Sequence, residues 1–106
     1  MSTSTLESSS AGALGVIVDN EALTVSLSDG RTISAPLAWS PRLLHGNDTE
    51  RGHWRLIGQG QGIHWPDLDE DISVENLLQG KPSGESQRSL RAWLDRRPPR
   101  GDTEGA

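Results

Sequence analysis

Cysteine, phenylalanine and tyrosine are all missing from this chain. Without cysteine there can be no disulfide and no thiolate metal site. Without Phe and Tyr, aromatic bulk rests on Trp39, Trp54, Trp65 and Trp93 alone. Basic charge is also short. A formal net charge of −5 disfavours a broad phosphate-binding face, so direct nucleic-acid contact is not expected. No apolar run reaches the roughly 20 residues that span a bilayer. The N-terminus has no basic region followed by an apolar run, as a signal peptide would. The expectation is therefore a cytoplasmic protein with no membrane role. The apolar share is low for a globular chain, and the ends account for part of it. MSTSTLESSSAGA (1–13) and RPPRGDTEGA (97–106) are too polar to offset the entropy of ordering, and both read as disordered tails. That leaves one domain over 14–80, then a loop and a C-terminal helix over 81–96.

The middle of the chain carries strand and turn signals. Leu14, Val16 and Val18 alternate, as do Leu23, Val25 and Leu27, then Ile33, Ala35 and Leu37. With turns at Asn20-Glu21 and Ser28-Asp29-Gly30, this predicts a three-strand antiparallel meander with one buried face. Ser40-Pro41 reads as an N-cap with Pro at the first helical position, placing Leu43 and Leu44 toward the core. Asp48 could cap a further turn to about Gly52. Trp54–Ile57 and Ile63–Trp65 read as a hairpin around the loop GQGQG. Ser73 starts a helix with Val74, Leu77 and Leu78 on its apolar face, closed by Gly80. Ser86 starts another, with Leu90, Trp93 and Leu94 on one face. The fold class is α+β: a small antiparallel sheet, meander plus hairpin, with two or three short helices packed on it.

The run DGRTISAPLAWSPRLLHG, followed by HWRLIGQGQGIHWPDLDEDISVENLLQG, resembles the bacterial family known as domain of unknown function 2442. The likeness covers about Asp29 to Gly80. Its most specific piece is a Gly-x-x-Trp-Pro-x-x-Asp-Glu-Asp signature, met by Gly62, Trp65, Pro66, Asp69, Glu70 and Asp71. The resemblance implies a small α+β domain and no established activity. Some members resemble a two-part regulator with a helix-turn-helix repressor domain. The stretch after Gly80 is too short for a five-helix domain of that kind. Other members look like one half of a toxin–antitoxin type module.

HWPDLDEDISVENLLQG concentrates five acids: Asp67, Asp69, Glu70, Asp71 and Glu75. Asp67, Asp69 and Asp71 stand at positions one, three and five of a calcium loop. Position six is Ile72 instead of Gly, and position twelve is Leu78 instead of Glu, so the sharp turn and the bidentate ligand are both lacking. The structural alternative is that these acids precede and begin the helix at Ser73, complementing its dipole. They would leave a negative patch open to a partner. His45, His53 and His64 are too scattered for a zinc site. Glu50 and His53 make one Glu-x-x-His spacing, a weak metal signal as a single copy. GQGQG lacks the GK[ST] ending of a phosphate loop and precedes a strand, so it suits a hairpin turn. No GxSxG elbow exists, and no nucleophile has a visible partner base. Arg88, Arg91, Arg96, Arg97 and Arg100 make the C-terminal helix locally basic. Its apolar stripe at Trp93 either packs on the chain's own sheet or docks on a partner.

Taken together, the residues point to a non-enzymatic protein-interaction or regulatory module, antitoxin-like, with no cofactor and no metal. Asp67, Asp69, Glu70, Asp71 and Trp93 are the candidate partner-binding residues. The alternatives are an inhibitor of a nucleic-acid enzyme, of anti-CRISPR or phosphate-mimic type, and an accessory nucleic-acid-binding domain.

Overall fold

The computed structural model describes residues 11–97. It contains two antiparallel three-stranded sheets with four short helices, an α+β fold. The first sheet is the expected meander of β1 (Ala13–Val18), β2 (Ala22–Leu27) and β3 (Thr32–Pro36), in sequential order. Asp19 makes the first turn, its Oδ1 accepting from the N–H groups of Glu21 and Ala22 at 2.8 Å each. Pairing sets Val16, Val25 and Ile33 in one row and Leu23 opposite Ala35 in the next. These rows supply the inner face. Ile17, Thr24 and Ser34 form an outer row, with Thr24 and Ser34 hydroxyls 2.8 Å apart.

The start of β1 departs from simple alternation. Its register shifts between Ala13 and Gly15. Leu14 is consequently turned outward and 66% exposed, while Ala13 is buried. A bulge inserts one residue and inverts the facing before it. This corrects the expectation that Leu14 faces the core. It also moves the domain boundary. Ala11 and Ala13 are both buried, and the Gly12 N–H donates to the Ser28 hydroxyl. Residues 11–13 thus belong to the packed domain, and the rest of the proposed N-terminal tail lies outside the described residues. At the other end, Arg97 is ordered against Trp93 and Glu50, while 98–106 lie outside the described residues.

Two short helices follow the meander, α1 (Pro41–His45) and α2 (Asp48–Gly52). Leu43 is fully buried, whereas Leu44 is 42% exposed, so only one of the leucine pair serves the core. The cap of α2 is Asn47, not Asp48: Asn47 and Glu50 form a reciprocal capping box. Arg51, on α2, is buried and donates to the carbonyls of Leu43 and Leu44 and to Asn20 Oδ1. Its charge meets the last carbonyls of α1, at the helix C-terminal end where a cation is favourable.

The second sheet is β4 (Arg55–Ile57), β5 (Gly62–Trp65) and β6 (Glu70–Ser73). The glycine loop does join β4 to β5 as a hairpin, with Gly58, Gln59 and Gly60 all at positive φ. The third strand was not expected. Residues read as the approach to a helix instead pair antiparallel with β5, and α3 (Val74–Leu78) starts after them under a Ser73 cap. Leu56, Ile63 and Ile72 share the inward row, while Arg55, His64 and Asp71 share the outward one. On α3, Val74 and Leu77 are buried and Leu78 is 42% exposed. Both inner faces, with Leu37, Leu43, Leu68 and the helices, form one apolar cluster. Helix α4 (Gln87–Arg96) closes onto it through Trp93.

Candidate functional site

The acid-rich stretch is a β-hairpin. Trp65 pairs with Glu70, and residues 66–69 make the turn between them. Pro66 fits the opening of such a turn because its φ is already fixed. Asp69 closes it in the left-handed region at φ 52, a conformation that Asp tolerates better than most residues. Leu68 at the turn is fully buried. It anchors the loop, which leaves the neighbouring carboxylates on the surface.

Strand pleat then divides the acids. Successive side chains alternate between faces, so Glu70 and Ile72 point inward and Asp71 points outward. Asp71 Oδ1 lies 2.5 Å from His64 Nδ1 across the outer row, and Asp67 Oδ2 lies 2.8 Å from His53 Nδ1. Asp69 is 83% exposed, with its Oδ2 3.7 Å from Arg42. Only Glu75 sits in the first turn of α3. The idea that these acids begin a helix is therefore corrected for Asp67, Asp69, Glu70 and Asp71. Among the described residues no group of three or more His, Asp or Glu side chains could hold a metal ion.

Glu70 is the exception in the cluster. It is half-buried at the wall of a cleft of about 160 Å³ between the end of the meander, β6 and the segment after α3. Pro36, Leu37, Trp39, Ile72 and Leu77 supply apolar walls, and Ser73, Asn76 and Lys81 also line the space. The Ser40 hydroxyl, itself buried, donates to Glu70 Oε2 at 2.5 Å. Ser40 stands at the N-cap of α1 but makes no side-chain cap bond there, because its hydroxyl is committed to the carboxylate. Glu70 forms no ion pair among the described residues. Burial pushes its carboxyl above the ordinary value, against the opposing effects of the Ser40 hydrogen bond and the Arg42 charge.

Arg42 has been drawn elsewhere. Its guanidinium grips Glu85 through Nε and Nη2, donates to the carbonyls of Leu68 and Asp69, and lies 4.9 Å from the Trp93 ring centre. Arg97 stacks on the same ring at 4.7 Å. Trp93 is 5% exposed, with both guanidiniums within cation–π distance of its ring. In this structure Trp93 is packed within its own chain, with Leu90 and Leu94 partly buried against the same cluster. Arg42 and Ser40 were missed as site residues because nothing local marks them. Their partners lie 43 and 30 residues away. Glu70 could have been placed in the cleft from sequence had the hairpin been recognised, since its alternation with Ile72 fixes its facing.

The arrangement defines a small α+β domain with an acidic hairpin beside a narrow cleft. Residues 13–83 match the family described as "Protein of unknown function (DUF2442)", and the chain belongs to that family. Helix α4 lies beyond the matched residues. A crystal structure of a protein of unknown function from Rhodospirillum rubrum is similar, with 26% identity and a TM-score of 0.62 over 76% of this chain and 96% of that one. The solution NMR structure of an uncharacterized protein from Chromobacterium violaceum shares the fold at 15% identity and a TM-score of 0.63, covering 84% of this chain and 82% of that one. No curated protein matches the chain. No helix among the described residues is long and apolar enough to cross a membrane.

Proposed function

We propose that the protein acts by binding another protein, as a non-enzymatic regulatory module of antitoxin-like type. The observation that carries this reading is the β5–β6 hairpin. It holds Asp67 and Asp69 at the surface on a short turn pinned by buried Leu68, and Asp71 on the outer face of β6. Charges presented on a rigid element lose little entropy on docking, which favours recognition of a basic surface. The chemistry of the adjoining cleft points the same way. Its buried hydroxyl, Ser40, donates to a carboxylate, and the nearby histidines pair with Asp67 and Asp71. A serine committed in this way is not activated for attack.

The test is capture from the native host with the tagged full chain, followed by reconstitution with the purified partner. Asp67, Asp69 and Asp71 are changed together to Asn in a parallel capture. The expected result is a basic protein retained by the parent and lost with the triple variant, whose toxicity when expressed alone is relieved by co-expression. Retention by both chains would refute the acidic hairpin as the contact. A partner that acts on nucleic acid, with DNA competing for the same hairpin, would replace the antitoxin reading with the phosphate-mimic one.

A further inference from the structure

We infer that the Glu70–Ser40 cleft is a receptor for one cationic side chain, Arg or Lys, contributed by the protein partner. The inference rests on the interaction reading above and names the chemistry read beside the hairpin. A carboxylate removed from water is normally neutralised by a counter-charge. Glu70 is half-buried and makes no ion pair among the described residues, although Arg42 lies close enough to bias it electrostatically. Arg42 spends its donors on Glu85 and on two backbone carbonyls. Among the described residues no cation pairs with Glu70, and Lys81 lines the cleft without an ion pair to it, so the positive charge that completes the site is assigned to a partner.

Size and lining select the ligand class. Small-molecule and cofactor pockets generally enclose about 300–1,000 Å³. A cleft of about 160 Å³ suits a single long side chain. An Arg or Lys stem is apolar and its head is charged. Pro36, Leu37, Trp39 and Leu77 offer walls for the stem, Trp39 can also stack on a cation, and Glu70 with Ser40 meets the head. Lys81, which also lines the cleft, opposes a cation there and limits affinity for a free one. The exposed Asp69 and Asp71 beside the cleft would orient a basic segment as its anchor enters.

The probes are Nα-acetyl-arginine methylamide, Nα-acetyl-lysine methylamide, the norleucine equivalent and free putrescine, titrated into the full chain and followed by NMR. The expected result is saturable movement of the Trp39 indole and Asn76 side-chain signals by the arginine or lysine probe. A single side chain has few atoms, so a Kd on the order of 1–10 mM is expected. The norleucine probe should leave these signals unmoved. Glu70→Gln should weaken binding at least about tenfold while its spectrum stays folded, which separates lost recognition from lost structure. No saturable shift at Trp39 and Asn76 would overturn the inference. So would an equal saturable shift with the norleucine probe, or binding of the arginine and lysine probes that Glu70→Gln leaves unweakened. Putrescine binding as tightly as the capped residues would overturn the protein source. If the probes fail while partner capture still depends on Asp67, Asp69 and Asp71, the cleft inference falls and the interaction reading stands. If capture also fails, both fall.

Discussion

Trp65 has no exposed surface, and its indole Nε1 donates to the Arg51 carbonyl at 3.0 Å. Two terms are lost in Trp65→Ala, the burial and the packing around the cavity left behind. The expected cost is about 3–5 kcal/mol, a large part of the stability of a domain this small. Urea melts of the isolated chain check it, and a normal melt would mean that Trp65 is not a core anchor. Glu70 and Glu85 make a second, paired prediction because their shifts have opposite sign. Burial raises Glu70, so the folded chain holds that proton to higher pH than the unfolded chain. Its contribution is fully present below the ordinary value of 4.5 and is lost as pH rises through the folded value. Glu70→Gln cannot ionise. Its stability relative to the parent should therefore increase across that window. The Arg42 guanidinium holds Glu85 below its ordinary value, so the Glu85 contribution is present above 4.5 and lost as pH falls through the folded value. Glu85→Gln should be most destabilising near neutral pH and approach the parent in acid. Denaturation series from about pH 2 to about pH 7 would show both slopes; a flat difference for either variant would refute its assignment.

At the scale of elements, legibility followed local pattern. The meander, the glycine hairpin and the two capped helices at Ser73 and Ser86 could be read because alternation, turn residues and caps are all local signals. β6 was missed because EDIS has one apolar residue and two acids, and its strand state comes from pairing with GIHW across a turn. The outward turn of Leu14 was missed because a bulge is a property of two strands. The glycine hairpin also makes a contact that no periodicity reveals. Gly60 sits at φ 87, and a Cβ there would come within 3.0 Å of the Ala13 carbonyl oxygen and 3.1 Å of its nitrogen. Gly60→Ala thus meets both backbone strain and a clash between the two sheets, and should cost about 1–3 kcal/mol. Gly84→Ala, with open space around its Cβ, is the control, and thermal melts of the two compare them. Helix α4 gives the other element-scale prediction. Trp93 is packed within the chain, so Trp93→Ala should lower the melting temperature of the isolated protein, with a cost of about 3–5 kcal/mol. An unchanged melt would return the stripe to a docking role.

For the whole molecule, charge placement matters more than its total. The chain carries −5 overall, yet part of its basic charge is withdrawn from the surface: Arg42 and Arg51 are largely enclosed and Arg97 lies on Trp93, while Arg31, Arg55 and Lys81 stay exposed. Of the acids on the β5–β6 hairpin, Asp67, Asp69 and Asp71 stay outside. An exposed negative hairpin steers a basic partner from beyond contact distance, and the range of that steering is set by salt, about 8 Å at physiological ionic strength. Rim charges act chiefly on the association rate, because they remain hydrated in the complex and add little to its lifetime. For the partner recovered by capture, association should slow about tenfold or more between low and high salt while dissociation changes little. Changing Asp67, Asp69 and Asp71 to Asn should flatten that dependence, and changing Glu70 to Gln should instead speed dissociation, since a desolvated charge pair acts on complex lifetime. Stopped-flow mixing across a salt series measures both rates. Association that ignores salt in the parent would mean that the hairpin carboxylates do not steer, and dissociation unaltered by Glu70→Gln would separate the hairpin from the cleft.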